Sequence, residues 1–361
     1  MARDVNSGGA RGSSRHALVV GAGGLVGAHL VDRLLETGWE VTGISRRALD
    51  HESPRFHHLS VDVSDEARCI AAAPHLKSTT HLFFTARVGH RDPATETELN
   101  VRVLRNTLEH LVAHAGELQH VCLVHGTKWY GSHLGAFPNP AVEHQPRHAG
   151  PNWYFGQHDW MVEFQRGRRW TWSTVRPHIV VGLSLGQPYN CVSTLAAYAT
   201  LCRERGLPFD FPGSEVAFNA ITQATDATLL ADAQIWSSVT ASCANQDFNI
   251  INADYFRWRQ LWPAIADFFS IKPGVSGARP LRESMGDAQG DWERLVSRHR
   301  LRSTRLGDIA SWTFGDFLFG TEWDVMSSML KSRQHGFDAV IGTEASFLSH
   351  LARMREQRLI P

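Results

Sequence analysis

Apolar runs of strand length alternate with longer amphipathic segments through the first half of the chain, beginning at His16. Short apolar runs bounded by Gly, Asp or Ser are typical of buried strands, and apolar positions repeated every three or four residues are typical of helices. The strand-like runs are ALVVGAGG, WEVTGISRR, FHHLSVDVSD, HLFFTARVG, HVCLVHGTKWYG and WSTVRPHIVVGLS, and the helix-like segments include AHLVDRLLETG and TELNVRVLRNTLEHLVAHAG. This alternation predicts an α/β fold built on a parallel sheet.

The alternation weakens after about residue 185. Helix-like segments such as TLAAYATLCRERG and DATLLADAQIWSSV are separated there by short loops that contain Pro and Gly. A chain of 361 residues also exceeds the usual size of a single hydrophobic core. We therefore expect a disordered tail at 1–15, a main α/β domain at 16–185, and a smaller helix-rich substrate lobe at 186–361 that interleaves partly with the main domain.

Charge and cysteine content restrict the class of protein. Lys plus Arg equal Asp plus Glu at 36 each, so the chain lacks the basic excess that favours nucleic acid or an anionic membrane. Its five cysteines are odd in number, scattered and never in CxxC spacing, which favours reduced thiols and a cytoplasmic location. No apolar run is long enough to span a bilayer. Since the 20 histidines show no HExxH or paired ligand spacing, we expect no metal site and a small-molecule partner.

The first strand ends in a glycine-rich turn that leads directly into a helix. Gly21, Gly24 and Gly27 form a GxxGxxG pattern at this point. Glycines let the chain turn tightly and bring backbone amides and a helix N-terminus against a pyrophosphate. The order strand, glycine turn, helix therefore predicts a dinucleotide-binding Rossmann domain with a doubly wound parallel sheet. The other residues expected to contact the dinucleotide in this turn are Gly23, Leu25 and Val26.

The end of the second strand indicates which dinucleotide is bound. An enzyme that uses NAD carries an acidic residue there for the ribose hydroxyls, whereas this chain has Ser45, Arg46 and Arg47. Two guanidinium groups suit a 2′-phosphate, so the sequence predicts NADPH. Asp62 and Val63 follow the third strand, where a pair that contacts adenine would lie; Asp62 could equally cap the next helix.

The catalytic pattern of ordinary short-chain dehydrogenases is incomplete in this chain. Those enzymes place a Tyr and a Lys four residues apart on one helix and a Ser at the end of the fifth strand. Here Tyr154 is followed four residues later by His158, and Gly126 occupies the position of the Ser. The sequence is therefore either a degenerate or a specialised member of that superfamily.

Several segments favour the specialised alternative. HGTKWYG, followed by PNWYFGQHD, resembles the GxKxY and NFYYxxED elements of the progesterone 5β-reductase/iridoid synthase family of extended short-chain dehydrogenases/reductases. The resemblance continues to the end of the chain and so covers nearly all of it. The further matching segments are WSTVRPHIVVGLS, RERGLPFDFPGS, QIWSSV, DYFRWRQLW and KSRQHGF.

The resemblance implies an NADPH-dependent 1,4-reduction of an α,β-unsaturated carbonyl compound, with hydride delivered to the β-carbon. Lys128 matches the family's lysine and Tyr154 its catalytic tyrosine. A phenol placed at the carbonyl oxygen would stabilise the enolate that forms, and Lys128 would orient the cofactor. Both residues are also expected to contact NADPH, together with Thr85, Ala86, Pro177 and Ile179.

The chain departs from the family's pattern at several positions. His158 replaces the acidic residue of the tyrosine motif, and Phe155 replaces its second tyrosine. Arg87 stands near a place where plant members carry a pocket tryptophan, and an arginine there could bind cofactor phosphate or a polar or carboxylated substrate. The expected substrate contacts are Arg87, Trp129, Tyr130 and Ser184, and Tyr130 competes with Tyr154 as the phenol donor.

Three other functions stay open at this point. Ser184 lies in a GxSxG pattern, so a hydrolase with Asp210 and His299 as its partners is one alternative. The second is an NADPH-dependent carbonyl reductase that reduces a ketone at the carbonyl carbon instead of the alkene. The third is a non-catalytic NADPH sensor, although it would not need both Lys128 and Tyr154. The sequence also leaves open a homodimer.

Overall fold

The computed structural model of the chain describes residues 15–184, 186, 187, 189–277, 279–302 and 305–361. The predicted disordered tail therefore lies outside the described residues, except for Arg15. The main sheet has seven parallel strands in the order β11-β6-β5-β4-β1-β2-β3. The strands within the described residues are β1 His16–Val20, β2 Glu40–Ser45, β3 Phe56–Ser60, β4 His81–Phe84, β5 His120–Val124, β6 Thr171–Arg176, β7 Val180–Val181, β8 Phe209–Phe211, β9 Ile221–Thr222, β10 Thr225–Asp226, β11 Gln246–Asn249, β12 Phe256–Arg257 and β13 Pro273–Ser276.

Helices cover both faces of the main sheet. Alternate residues of β1 point to opposite faces, so Ala17 and Val19 join one core and Leu18 and Val20 join the other. The helices in the described part of the chain are α1 Leu25–Glu36, α2 Glu66–Ala72, α3 Pro93–Arg105, α4 Trp153–Gln165, α5 Cys191–Arg205, α6 Glu215–Asn219, α7 Ala227–Val239, α8 Trp258–Phe269, α9 Leu281–Ser284, α10 Gln289–His299, α11 Trp312–Phe319, α12 Leu330–Gln334 and α13 Thr343–Glu356. Helices α1 and α7 cover one face, and α3 and α4 cover the other. The predicted α/β fold with a doubly wound parallel sheet is confirmed.

The sixth strand is shorter than the apolar run that predicted it. It ends at Arg176 because Pro177 has no backbone N–H to continue the ladder. The chain then forms the two-residue strand β7, which pairs with β10. Beyond residue 186 the chain returns to the main sheet through α7 and adds β11 beside β6. The two halves of the sequence are thus interleaved in space.

The rest of the C-terminal half has its own aromatic core. Phe209 stacks on Trp262 with ring centroids 4.2 Å apart, and the indole N–H of Trp262 donates to the carbonyl oxygen of Phe209 at 2.8 Å. Trp258 and Phe319 pack against the same group of rings. Trp258, Trp262 and Trp292 therefore belong to the core of the second lobe, whereas Trp236 of α7 packs against the core of the main sheet.

Three further features of the described residues concern membrane spans, disulfides and metal sites. None of their helices combines the length and the apolar character needed to cross a bilayer. The five cysteines are all free and buried. Across the same ranges, no three His, Cys, Asp or Glu side chains are grouped so that they could hold a metal ion.

Asp226 ties the C-terminal helix to the interleaved region. This carboxylate is 3% exposed, caps α7 by accepting from the Thr228 amide at 2.8 Å, and accepts from Ser346 at 2.6 Å. His350 of α13 lies 3.0 Å from the same oxygen that Ser346 contacts. Burial raises the pKa of Asp226, but the hydrogen bonds from His350 and Ser346 outweigh burial and hold that pKa well below its usual range.

Replacing Asp226 should therefore lower stability in a manner that depends on pH. Because the folded-state pKa is depressed, ionised Asp226 stabilises the protein above the unfolded-state pKa of about 4, and this contribution is lost as the pH falls further. We expect Asp226→Asn to lower the free energy of unfolding by about 3 kcal/mol at neutral pH. The deficit should shrink in acid. Denaturant unfolding at several pH values measures it, with exposed Asp338→Asn as the control; an equal deficit at every pH would contradict the assignment.

Candidate active site

The glycine turn lies where the order of strands in the sheet reverses. Strand β1 has β2 on one side and β4 on the other, so a crevice opens at the carboxyl ends of β1 and β4. Gly21 has a φ of +91°, and a Cβ there would lie 2.8 Å from both the Ala86 nitrogen and the Thr85 Oγ1. Thr85 donates a hydrogen bond to the Val20 carbonyl at 2.9 Å. Only glycine fits this conformation so close to the β4 loop, which places Thr85 and Ala86 beside the turn.

The N-terminus of α1 has the character of an anion site. Its N-cap residue, Gly24, offers no side chain to the first amides, and the first turn carries no acidic residue. The helix runs for 12 residues, so its unpaired amides and its dipole both favour a negative charge. Leu25, Val26 and Gly27 form the first turn, and Gly23 precedes the cap. These residues fit the pyrophosphate of a dinucleotide.

Two arginines follow the carboxyl end of β2. Arg46 and Arg47 are exposed, and neither guanidinium forms an ion pair within the ranges that the structure describes. Ser45 Oγ donates to the Arg47 carbonyl oxygen at 2.5 Å and so fixes the start of this loop. The charges of both arginines are therefore available to an anionic ligand.

The predicted adenine pair lies next to this loop. The Asp62 carboxylate accepts hydrogen bonds from the amide and hydroxyl of Ser64, at 3.0 and 2.7 Å, and these bonds lower the pKa of Asp62. The helix cap that the sequence allowed for Asp62 is instead made by Asp65, which accepts from the Arg68 amide. The Val63 carbonyl oxygen accepts from Asn106.

Tyr154 and Lys128 are joined through one side chain, that of Asn152. Asn152 caps α4 by accepting from the Tyr154 amide at 2.9 Å, and its amide group donates to the Lys128 carbonyl oxygen at 2.8 Å. The N-terminus of α4 is thereby fixed to the loop after β5. The sequence analysis did not identify Asn152, although an Asn directly before an aromatic helix start is a typical N-cap signal.

The Tyr154 hydroxyl occupies the space that Gly126 leaves open. A Cβ at Gly126 would lie 2.9 Å from the Tyr154 hydroxyl oxygen. Tyr154 is 9% exposed, and burial raises the pKa of its phenol to about 12. The hydroxyl is therefore protonated at neutral pH and can act as a hydrogen-bond or proton donor.

Lys128 lies in a partly enclosed cationic environment. Burial lowers the pKa of Lys128, and the nearby Arg87 lowers it further. Its Nζ lies 5.5 Å from the ring centroid of Phe317, a residue of the second lobe. Lys128 thus lies between the main domain and the second lobe.

Arg87 forms an ion pair with Glu96 at the exposed edge of the site. Its Nη2 and Nε lie 2.6 and 3.2 Å from Glu96 Oε1, and its guanidinium lies 5.9 Å from the ring centroid of Trp153. Asn100 holds the following loop by two hydrogen bonds to the backbone of Val88. The charge of Arg87 is therefore balanced by Glu96.

Trp129 and Tyr130 are directed into the protein rather than into open space. The Tyr130 hydroxyl donates to Asn249 Oδ1 at 2.6 Å and accepts from Arg176 at 3.0 Å. Arg176 also lies 3.8 Å from the ring centroid of Trp129. Trp129 and Tyr130 are 4% and 3% exposed, respectively. These partners already use both functions of the Tyr130 hydroxyl, which leaves Tyr154 as the available phenol.

A narrow cleft lies where the second lobe meets the loop after β6. The Pro177 carbonyl oxygen accepts from the Thr127 amide at 3.2 Å, which joins the loop after β6 to the loop after β5. Mostly apolar and aromatic side chains line the cleft. Its lining residues include Ile179, His178, Phe317, Trp258, Trp323 and Val325.

No hydrogen bond joins Ser184 to Asp210 or His299 among the residues that the structure describes. Leu183 is held by His29 of α1 through a hydrogen bond of 3.1 Å, and Ser184 follows it. Asp210 accepts from the Val275 amide in the second lobe, and His299 is exposed at the end of α10. The described residues thus give no support to a hydrolase triad.

The chain is similar to known proteins over nearly its whole length. The model of the PRISE-like Rossmann-fold domain matches residues 57–361. The chain is 35% identical to the (S)-8-oxocitronellyl enol synthase of Catharanthus roseus, across 96% of this chain and 92% of that protein. It is 32% identical to the 3-oxo-Delta(4,5)-steroid 5-beta-reductase of Arabidopsis thaliana, across 96% of this chain and 93% of that protein.

Solved structures show the same fold at lower identity. The UDP-glucose 4-epimerase of Thermus thermophilus, solved in complex with NAD, matches with a TM-score of 0.66 and 18% identity. The match covers 93% of this chain and 99% of the epimerase. It confirms the extended short-chain dehydrogenase/reductase fold. The family match and the two plant relatives show that the chain belongs to the PRISE-like family, that of the progesterone 5β-reductases and iridoid synthases.

Proposed function

We propose that this protein reduces the C=C bond of an α,β-unsaturated carbonyl compound with NADPH. The observation that carries the proposal is the pairing of Tyr154 and Lys128 through Asn152, beside the crevice at the glycine turn. The two plant relatives, an enol synthase and a Δ4,5-steroid 5β-reductase, support the same reaction class.

The residues at the sheet's carboxyl edge fit NADPH. The N-terminus of α1 would hold the pyrophosphate, Arg46 and Arg47 the 2′-phosphate, and Asp62 with Val63 the adenine. Thr85, Ala86, Pro177 and Ile179 would line the path towards the nicotinamide. When bound there, NADPH supplies the hydride that is added to the β-carbon of the substrate.

Tyr154 would act at the carbonyl oxygen. Hydride addition at the β-carbon moves negative charge onto that oxygen, and a donor positioned there stabilises the charge as it forms. Burial keeps the phenol protonated because it raises the pKa of Tyr154 to about 12. The Tyr154 proton then converts the enolate to an enol, which gives the saturated carbonyl compound in solution.

Lys128 would support this chemistry through position and charge. Its backbone is fixed to the first turn of α4 by Asn152, and its side chain extends towards Phe317 at the lobe boundary. From there its ammonium group can orient the cofactor ribose and stabilise the developing oxyanion.

We further propose a small, mainly apolar enone or enal as the substrate class. The apolar and aromatic lining of the cleft supports it. Arg87, with its charge balanced by Glu96, would contact a polar part of the substrate at the mouth, and Ser184 would lie near the nicotinamide loop. Trp129 and Tyr130 are buried, so they would affect substrate binding only indirectly, through their packing beneath the site. We propose a reducing cytoplasmic setting because the five cysteines are free and buried.

A ketone reductase is the second candidate, since the same phenol and lysine could serve a carbonyl carbon. Gly126 speaks against it. Ordinary short-chain dehydrogenases place a serine there as a second donor to the carbonyl oxygen, and here the Tyr154 hydroxyl occupies that space.

Turnover with a substrate panel tests the proposal. NADPH absorbance is followed with cyclohexenone, hexenal and the saturated control cyclohexanone, and products are identified by mass and NMR. We expect C=C saturation with the first two and no reaction with cyclohexanone. Tyr154→Phe should lower kcat roughly 100-fold, because general acids contribute about that factor, while NADPH affinity is retained. If the protein binds NADPH but turns over none of these compounds, the result would favour a non-catalytic NADPH sensor.

Gly126→Ala should displace the catalytic hydroxyl. The added Cβ would lie 2.9 Å from the Tyr154 oxygen, so the phenol must move. A displacement of about 1 Å can cost on the order of 100-fold in rate, and we expect kcat with cyclohexenone to fall by at least tenfold at unchanged NADPH affinity. Gly116→Ala is the control, because a Cβ there meets no atom within 4 Å. Wild-type kcat in Gly126→Ala would show that Tyr154 does not act from this position.

Arg46→Ala combined with Arg47→Ala should reduce the preference for NADPH over NADH. Charge-assisted hydrogen bonds to a phosphate contribute about 1.5–3 kcal/mol, which corresponds to a loss of roughly 10- to 100-fold in the ratio of kcat/KM values. The double variant Arg166→Ala, Arg169→Ala removes the same charge from exposed positions at the end of α4 and serves as the control. An unchanged ratio in the Arg46, Arg47 variant would place the 2′-phosphate elsewhere.

A further inference from the structure

His125 lies directly behind the proposed catalytic tyrosine. It follows β5 and precedes Gly126, is 3% exposed, and its ring centroid lies 4.9 Å from that of Tyr154. Its imidazole stacks on Trp129 at 5.5 Å. Neither of its ring nitrogens has a hydrogen-bond partner within the described residues. Buried polar atoms without a partner are rare in folded proteins and call for an explanation.

His158 lies beside His125, on the side nearer the protein surface. It lies one turn after Tyr154 on α4, and its ring centroid is 6.4 Å from that of His125. Its Nε2 lies 3.5 Å from Asp247 Oδ1, and its Nδ1 lies 3.6 Å from Asp159 Oδ1. The side chain of His158 is 15% exposed, whereas that of Asp159 is 61% exposed. Proton-carrying groups thus extend from the buried phenol to solvent.

The charges around the two histidines are fixed by neighbouring groups. Burial raises the pKa of Asp247, but the neighbouring His158 and the charge of Arg176 outweigh burial and hold that pKa well below its usual range, so this carboxyl is ionised. Arg176 Nη2 lies 3.0 Å from Asp247 Oδ1. Burial lowers the pKa of His125 well below its usual range, and Arg176 and His158 lower it further. Arg147, which hydrogen-bonds Asp159, acts in the same direction. His125 is therefore a neutral imidazole, with one N–H and one free nitrogen.

The proposed reaction creates a need for such a group. Each turnover transfers the Tyr154 proton to the substrate oxygen and leaves a phenolate. Tyr154 is only 9% exposed, so direct access of solvent to the phenolate is limited.

We propose that His125 and His158 form a relay that returns a proton from solvent to Tyr154 after each reduction. The proposal rests on the function proposed above. Both histidines act through Tyr154 and are not assigned contacts with substrate. Asp159 marks the solvent end of the relay, and Asp247 holds His158 towards the interior.

The relay balances the proton that the reaction consumes. The hydride from NADPH forms the new C–H bond at the β-carbon, and the C=C π electrons move to form the enolate. The Tyr154 O–H bond breaks as the enol O–H bond forms. His125 then gives its N–H proton to the phenolate, and its other nitrogen takes one from His158; an ordered water carries each proton where the two groups are not in direct contact. Solvent restores the proton of His158 at Asp159. The net change is one NADPH and one proton consumed per C=C bond reduced.

Pre-steady-state kinetics tests the relay. Because Tyr154 starts protonated, the first hydride transfer in His125→Leu should occur at the wild-type rate. Later turnovers should be at least tenfold slower, about the lower end of what proton-transfer groups contribute. Stopped-flow NADPH absorbance with cyclohexenone should thus show a burst of one NADPH per active site, and the slow phase should carry a solvent deuterium isotope effect. His158→Leu should behave likewise, and His158→Glu, which keeps a proton carrier, should restore turnover.

The controls separate a relay from a packing role. His120→Leu removes a buried histidine at the opposite end of β5, outside the relay, and should produce no burst at a temperature where the variant is folded. Thermal unfolding and NADPH binding are measured for every variant. If His125→Leu and His158→Leu slow the first turnover as much as later ones, or neither variant is slowed, the relay is overturned while the proposed function stands. Wild-type protein that does not oxidise NADPH with any enone overturns the proposed function and the relay with it.

Discussion

The side chain of Asn152 connects the two segments on which the candidate active site depends. By accepting from the Tyr154 amide and donating to the Lys128 carbonyl, it fixes the start of α4 against the loop after β5. An N-cap of this kind contributes about 1 kcal/mol to helix stability, so its larger effect is on geometry. Without this bridge, the phenol and the lysine would be positioned by two independent segments. The proposed reaction needs both groups at one place, beside the crevice at the glycine turn.

Gly126 adds a second constraint that acts at the same point. Gly126 stands where ordinary short-chain dehydrogenases carry a serine, and because it has no side chain it leaves room for the Tyr154 hydroxyl. The raised pKa of the Tyr154 phenol keeps it protonated at neutral pH, and its burial limits the direct access of solvent that would reprotonate it. The proposed relay through His125 and His158 would return a proton to this phenol. The position of the Tyr154 hydroxyl and its protonated state thus follow from the packing around this side chain.

Short-range patterns in the sequence predicted much of this structure. The apolar runs gave the strands of the sheet, and the glycine spacing gave the turn at the end of β1, because both depend on residues close together in the chain. HGTKWYG and PNWYFGQHD predicted the family, which is confirmed. The sequence did not predict the early end of β6 at Pro177 or the addition of β11 to the sheet. It left the choice between Tyr130 and Tyr154 open, since only the fold brings Asn249 and Arg176 to the Tyr130 hydroxyl. The group formed by His125, His158 and Asp247 likewise joins three distant segments.

The most direct measurement of the central claim is the fate of a labelled hydride. NADPH that carries deuterium at the transferring position of the nicotinamide is supplied with cyclohexenone, and the product is analysed by NMR. Conjugate reduction, with Tyr154 stabilising the enolate, predicts cyclohexanone with deuterium on the β-carbon. Cyclohexenol with deuterium on the former carbonyl carbon would contradict the account and make the protein a carbonyl reductase.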